Sequence, residues 1–260
     1  MKEVIAMGIE QKVALVIGGS GGIGKATALA FGRAGAKVAV AARRETEGRA
    51  VAEEVERNGG VARFLPTDIT HEAQIANAVK ATVETFGRLD YAVNVPGITG
   101  QVVPLVECSN ENWDEVLRTN LTSFFWCMRA EIRQMLLQGG GGAVVNISSA
   151  IGSRAFAGLG PYGATKRALE SLTETTALEY AKQGIRVNAI APGSIMTETF
   201  LGFTSGGDPA LVRHMADTFH PMGRIGEPDE VARAVLFLCS DATFTTGATL
   251  PVDGGWAFRS

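Results

Sequence analysis

Seven short apolar runs punctuate the chain: Val13–Ile17, Lys37–Ala42, Ala62–Leu65, Leu89–Val95, Ala143–Ser148, Arg186–Ala191 and Leu250–Val252. Gly, Pro or Asp bounds several of them. Between them lie amphipathic stretches of helical period, among them Glu45–Asn58, Glu72–Phe86, Glu111–Leu137 and Tyr162–Lys182. Unbroken apolar runs suit strands buried on both faces, and helical segments between them suit parallel crossovers. The pattern predicts an α/β fold: a single doubly wound domain with a mostly parallel seven-stranded sheet and helices on both faces.

No linker or internal repeat divides the chain, so residues 1–260 read as one domain. Gly139–Gly142 is short and fits a helix-to-strand turn. The stretch Ser194–Arg224 differs: it is long, irregular, rich in Gly and Phe, and follows the sixth run. A doubly wound sheet places ligand contacts at the carboxyl ends of its strands, so residues 194–224 read as a loop or lid over a substrate.

Composition narrows the partners. The 260 residues are 46% apolar and 20% charged, with 24 basic against 27 acidic side chains and a net charge of −3. That balance gives no footprint for nucleic acid or membrane. Met1–Lys12 holds no apolar run of signal-peptide length, and no stretch is long enough to span a bilayer. Cys108, Cys127 and Cys239 are few and widely spaced, which predicts free thiols in a reducing cytoplasm. His71, His214 and His220 do not share a helical face, so no metal site is expected.

The first run continues Val-Ile-Gly18-Gly19-Ser20-Gly21-Gly22-Ile23-Gly24 and then becomes helical. Glycines allow a tight turn and a close approach to a pyrophosphate, and the helix start offers free N–H groups to that anion. Two registers are open, Gly19-x-Gly21-x-x-Gly24 and Gly18-x-x-x-Gly22-x-Gly24. About 20 positions on, dinucleotide folds carry an acid for a ribose 2′-hydroxyl or an arginine for a 2′-phosphate. Here the second run ends in Arg43-Arg44 with no acid. A guanidinium grips phosphate bidentately, so NADP(H) is favoured over NAD(H). The plainer alternative is a solvated helix start, although cations suit helix C-termini better.

Tyr162 and Lys166 stand four apart at the start of a helical stretch and so share a face. A free phenol has a pKa of about 10, and a lysine cation plus the positive helix end are expected to lower it. Carbonyl reduction needs such an acid: hydride arrives at carbon, and the oxygen takes a proton. Ser148 and Ser149 end the fifth run, where a hydroxyl can donate to a substrate oxygen or simply cap a helix. Asn120 falls inside a helical stretch where asparagine is unfavourable, so its amide is expected to hold a water or a backbone group.

In order and spacing these residues resemble the short-chain dehydrogenase/reductase family, in its compact single-domain branch, from about Val13 to Asp253. The resemblance implies a Rossmann-like fold. The glycine turn looks like Thr-Gly-x-x-x-Gly-x-Gly, which settles the register on Gly18, Gly22 and Gly24, with Ser20 and Ile23 beside them. It implies that Asp68 and Ile69 meet the adenine, and that Asn94 and Gly97 match the ends of Asn-Asn-Ala-Gly. Pro192 and Gly193 match the turn by the nicotinamide, and Ile195 and Thr197 its carboxamide partners. Asn120, Ser149, Tyr162 and Lys166 match the catalytic tetrad. Tyr162 is then the acid or base, Ser149 orients the carbonyl, Lys166 holds the ribose, and Asn120 supports a proton-relaying water. Three departures stand out. Ile17 replaces a threonine, Val95-Pro96 replace Asn-Ala, and neutral Gly21 stands where NADP enzymes often carry a cation.

The expected activity is hydride transfer between NADP(H) and a small or medium carbonyl or alcohol. Alternatives are an NAD(H)-preferring alcohol or sugar dehydrogenase, a non-catalytic dinucleotide-binding sensor, and an epimerase or dehydratase on the same fold. Phe200, Leu201, Phe203, Met215, Phe219 and Met222 suggest an apolar substrate body, or simply pack the lid. The resemblance implies a homotetramer or homodimer. Phe124, Trp126 and Met128 on Glu111–Leu137 read either as interface or as core.

Overall fold

Strands form at all seven apolar runs, each within two residues of the expected bounds. In this computed structural model, which describes residues 8–258, they are β1 (Val13–Ile17), β2 (Lys37–Ala42), β3 (Val61–Pro66), β4 (Tyr91–Asn94), β5 (Gly142–Ile147), β6 (Ile185–Pro192) and β7 (Thr249–Val252). The reading of Met1–Lys12 falls mostly on residues 1–7, outside the described residues, as do residues 259–260 of the expected domain.

All neighbours pair in parallel, in the order β3-β2-β1-β4-β5-β6-β7. The chain starts mid-sheet, winds outward to β3, then returns beside β1 and winds outward to β7. Loops leaving β1 and β4 therefore diverge, and a crevice opens between them at the carboxyl edge.

Strand alternation divides the core in two. Ala14 and Val16 of β1 face one layer with Phe31 of α1 (Gly22–Arg33), Val55 of α2 (Glu45–Arg57) and Leu238 of α10 (Pro228–Ser240). Leu15 and Ile17 face the other, with Ile75 of α3 (Glu72–Phe86), Met135 of α5 (Ser123–Gln138) and Leu169 of α7 (Gly160–Tyr180). Apart from Ala14, each of these buried side chains contributes about 1.5–3 kcal/mol. Phe124 and Met128 belong to this second layer, which assigns them to core, while Trp126 is half-buried against it. Gly139, Gly140 and Gly141 all have positive φ and form the expected turn from α5 into β5.

Two elements differ from the expectation. Glu111–Leu137 is helical throughout but not uniform: α4 (Asn110–Leu117) runs through a wide π turn at Arg118–Thr122 into α5. Ser109 caps α4 through Asn112 N–H at 3.2 Å. The π turn inserts one residue into the helix, a device concentrated at functional sites. Ser194–Arg224 is also more ordered than expected. It contains α8 (Glu198–Phe203), capped by Thr197, and α9 (Pro209–Phe219), capped by Asp208. Phe200, Ala216 and Ile225 give this segment a small core of its own. The remaining helix is the short α6 (Ala150–Ser153). Among the described residues no helix is long and apolar enough to cross a membrane.

Candidate active site

A cavity of about 540 Å³ occupies the crevice. The glycine turn forms one wall. Gly18 has φ +86, and a Cβ there would sit 3.0 Å from the Pro96 ring. Gly22 has φ +47, with Thr197 Cγ2 3.1 Å from where a Cβ would be. A Cβ at Gly24 would collide with the Gly18 carbonyl oxygen. Gly19 is needed for another reason, since its Cβ would lie 2.9 Å from Val40. The start of α1 has neither a side-chain cap nor an acid in its first turn, so its N–H groups are offered to an anion.

The two arginines part company. Arg44 lines the cavity; its Nε donates to Ser20 Oγ at 3.3 Å and its Nη1 lies 2.7 Å from the Glu198 carboxylate. Arg43 does not line the cavity and acts on Asp68 through its charge. Burial pulls the Asp68 carboxyl up, but the N–H and hydroxyl of Thr70, with Arg43 and His71, outweigh it and hold it low. Asp68 and Ile69 lie beyond β2, at the end of β3, and Ile69 is core.

Asn94 does not face the cavity. Its Nδ2 donates to Glu131 at 3.0 Å and to Asn146 at 3.1 Å beneath the sheet edge. The following residues do face it, and they show how Val95-Pro96 are accommodated. Val95 N–H bonds Ile17 C=O at 3.0 Å, and the Pro96 ring lies over Gly18.

Tyr162, Ser149 and Lys166 converge on the opposite wall. Tyr162 sits in the first turn of α7 after Pro161, and Lys166 follows one turn later. Lys166 is buried; its Nζ donates to Ile147 C=O at 2.8 Å and lies 5.7 Å from the Tyr162 ring centre. Ser149 caps α6, accepting Ile151 N–H at 3.2 Å. Ser148 also lines the cavity, but its hydroxyl is engaged, donating to Glu170 at 2.8 Å. Asn120 stands in the π turn and grips Ile98 twice, accepting its N–H at 2.9 Å and donating to its C=O at 2.7 Å. Its amide thus finds a backbone partner, as expected of an asparagine inside a helical stretch. Gly97 is the meeting point: a Cβ there would be 3.4 Å from Lys166 Nζ and 3.5 Å from Asn120 Oδ1.

The electrostatics correct one expectation. Burial pushes the Tyr162 phenol above its usual value, and the Ser149 hydroxyl offsets this only in part. Burial likewise brings Lys166 down to about 7, against a smaller opposing pull from Glu170. A lysine that surrenders its proton near neutrality gives the phenol little cationic support, so desolvation outweighs the effect anticipated for the Tyr-Lys pair.

Pro192 and Gly193 end β6 against a bolt formed by His220. Its Nε2 accepts Ser194 N–H at 3.3 Å and its Nδ1 meets Asp253 C=O at 2.7 Å, a pattern that fits the neutral ring protonated on Nδ1. A Cβ at Gly193 would lie 2.6 Å from this ring. Ile195 bridges Gly226, yet the bonds run through Ser194 C=O and Met196 N–H, leaving the Ile195 backbone groups out of that exchange at the cavity wall.

Phe156, Phe200, Phe203, Met215, Phe219 and Trp256 close the cavity with apolar surface. Sequence reasoning missed Glu198, His220, Phe156 and Trp256. An isolated aromatic or acid carries no local signature of a site formed from distant segments. Among the described residues no group of three His, Cys, Asp or Glu side chains could hold a metal.

The bare glycine wall, the uncapped helix start and Arg44 fit a dinucleotide's phosphates, and the wall of Tyr162, Ser149 and Lys166 fits a carbonyl. Comparison with known proteins gives the family. Residues 18–257 match the family model described as enoyl-(acyl carrier protein) reductase. A short chain dehydrogenase/reductase of Aspergillus oryzae is 38% identical over 255 residues, 95% of each chain. A cyclohexanol dehydrogenase of Acinetobacter sp. is 37% identical over 260 residues, 100% of each chain. The crystal structure of a short-chain type dehydrogenase/reductase from Mycobacterium marinum superposes with a TM-score of 0.90 at 33% identity, covering 96% of this chain and 97% of that one. The chain belongs to the short-chain dehydrogenase/reductase family of oxidoreductases.

Proposed function

We propose that the protein transfers a hydride between NADP(H) and a small or medium carbonyl or alcohol with an apolar body, with Tyr162 as general acid or base. The observation that carries this reading is the convergence of Tyr162, Ser149 and Lys166 on one cavity whose facing wall is the glycine turn with Arg44. A nicotinamide, when bound, supplies or accepts the hydride.

The chain's own residues do the rest. Gly18, Ser20, Gly22, Ile23 and Gly24 admit and hold the pyrophosphate, while Arg43 and Arg44 favour a 2′-phosphate. Asp68 and Ile69 meet the adenine. Asn94 acts indirectly, by fixing the strand end that presents Gly97. Pro192, Gly193, Ile195 and Thr197 frame the nicotinamide. In reduction Tyr162 donates its phenolic proton to the substrate oxygen and Ser149 donates a hydrogen bond to the same atom. Lys166 holds the ribose hydroxyls. Asn120 fixes the Gly97–Ile98 loop beside Lys166 and supports the water that returns a proton. Residues 194–224 serve as the lid that excludes solvent.

The apolar closure by Phe156, Phe200, Phe219 and Trp256 supports an uncharged body. The likeness to a cyclohexanol dehydrogenase supports a compact ring as one candidate shape. An NAD(H) preference is the second reading, supported by the hold of Glu198 on Arg44 and by neutral Gly21. The family resemblance supports a homotetramer or homodimer, which sedimentation would test. Three free cysteines, two of them buried, suit a reducing cytoplasm.

The test is an activity screen of apolar ketones and alcohols with NADPH and NADH. Tyr162→Phe is expected to lower turnover about 10²–10⁴-fold while NADPH still binds. Full activity in that variant would overturn the mechanism. A protein that binds NADPH yet reduces no carbonyl would favour a sensor.

A further inference from the structure

Glu131 lies on α5, 0% exposed, with no cation among the described residues acting on it. Its Oε2 accepts Asn94 Nδ2 at 3.0 Å, and its Oε1 has no partner. Asn94 is equally buried, and its Oδ1 has no partner either. These are two of the three buried side-chain polar atoms without a partner among the described residues, and they belong to two side chains already bonded to each other. The surrounding groups are satisfied: Asn94 Nδ2 also reaches Asn146 Oδ1, and Asn146 Nδ2 reaches Thr173 Oγ1 at 3.0 Å and Met128 Sδ at 3.1 Å.

Two acceptors left over on one bonded pair call for a single hydrogen. A carboxylic acid and a primary amide satisfy each other through a ring: the amide N–H donates to the carboxyl C=O, and the carboxyl O–H donates to the amide C=O. One of those bonds is already drawn. We propose that Glu131 is a neutral carboxylic acid in the folded protein, donating from Oε1 to Asn94 Oδ1, and that this acid–amide ring is the positioning device for the end of β4.

The electrostatic setting agrees. Burial raises the Glu131 carboxyl to about 7, more than the Asn94 bond can offset. The titratable group that feels it is Cys127, one turn back on α5, whose thiol is pushed up by burial and by Glu131. Across the interface β4 presents Asn94, β5 presents Asn146 and α7 presents Thr173, none of them charged. Lys166, further along α7, responds to Glu170 instead.

The consequence for the site is geometric. Asn94 is the last residue of β4, and Val95, Pro96 and Gly97 pass directly from it into the cavity wall. Loss of the proton would set a carboxylate oxygen against the Asn94 carbonyl and loosen that wall. The placement of the ring does not depend on the proposed reaction; only the cofactor arm below rests on that reading.

Glu131→Gln discriminates, because a glutamine amide can reproduce the ring while being unable to ionise. Infrared spectra of the wild type at pH 6 are expected to show a protonated carboxyl band that is absent from Glu131→Gln. Should that variant fail to fold, loss of the band in the wild type between pH 6 and pH 9 serves instead. The folded group holds its proton up to about 7, while the unfolded one releases it near 4.5. The wild-type folding constant should therefore fall tenfold per pH unit across that window, relative to Glu131→Gln. NADPH affinity should match between the two proteins at pH 6 and weaken more in the wild type than in Glu131→Gln at pH 9, the Lys166 titration being common to both. No carboxyl band, with a stability difference independent of pH, would show an ionised Glu131 and overturn the proposal. If NADPH binds neither protein at any pH, the cofactor reading fails, while the infrared and stability results still decide the state of Glu131.

Discussion

Asn120→Ala isolates the part of the site that lies furthest from any direct contact with substrate. The side chain is fully buried in the π turn, and its two bonds to Ile98, 2.9 and 2.7 Å long, hold the loop between the Val95 and Gln101 backbone bonds. Truncation strands one N–H and one C=O. Each orphaned group costs about 1–3 kcal/mol, and because Ile98 is only half-buried water recovers part of that, so the low end applies. The sum is about 2–3 kcal/mol. For a chain of this size that lowers Tm by about 4–12 °C. Activity should suffer more than stability, because Gly97 shifts against Lys166. A displacement on the order of 1 Å can cost about 10²-fold, so kcat/KM should fall about 10–10²-fold. Asn120→Asp serves as the control. It keeps an acceptor for Ile98 N–H but turns a second acceptor toward Ile98 C=O, and should do no better than alanine. Calorimetry and steady-state kinetics on the three proteins suffice. An alanine variant with wild-type Tm and wild-type kcat/KM would refute the clamp.

Other expectations follow from the same geometry. Gly24→Ala drives a Cβ into the Gly18 carbonyl and should abolish NADPH binding in a fluorescence titration, with far-UV dichroism little changed. Arg44→Ala should raise KM for NADPH about 10–10²-fold and leave NADH nearly untouched, as expected for losing a charged hydrogen bond. Glu198→Gln should shift NADPH affinity the other way, by no more than about fivefold, because that ion pair is exposed. Alcohol oxidation needs the phenolate of Tyr162, whose pKa is raised, so its rate should climb with pH through neutrality and into the alkaline range; a flat profile refutes that assignment. Lys166 is held down to about 7 in the folded state while the unfolded side chain keeps its proton to 10.5. The unfolded state then binds more protons, so stability should rise with pH between these values, and Lys166→Met should remove that rise in denaturant titrations.

Much of this molecule could be read from its residues in order. Val13–Ile17 and Glu72–Phe86 fall at their expected bounds because burial on both faces and one-sided burial leave different periods in a sequence. The π turn left no such trace: one inserted residue shifts the helical phase too little to break the pattern over Glu111–Leu137. Tyr162, Ser149 and Lys166 line one cavity, as their spacing within α7 and after β5 predicts, whereas the side chain of Asn94, expected at the site, turns inward. That orientation depends on Glu131, thirty-seven positions away, and no local rule joins the two. The Tyr162 shift escapes a sequence reading for a similar reason. Charge proximity can be counted along a helix, but desolvation depends on everything that closes around it.

The small core of Phe200, Ala216 and Ile225 beneath α8 and α9 bears on how the cavity opens. A segment with its own packed interior does not fray residue by residue; it detaches as one cooperative unit. His220 pins one end of that unit to the Asp253 strand end, while Gly206 and Gly207, both at positive φ, joint its middle. In deuterium exchange, the amides of Glu198–Phe203 and Pro209–Phe219 should then share a common opening rate. A shared rate would tie access to the cavity to the lifetime of that one unit, with the imidazole as its anchor.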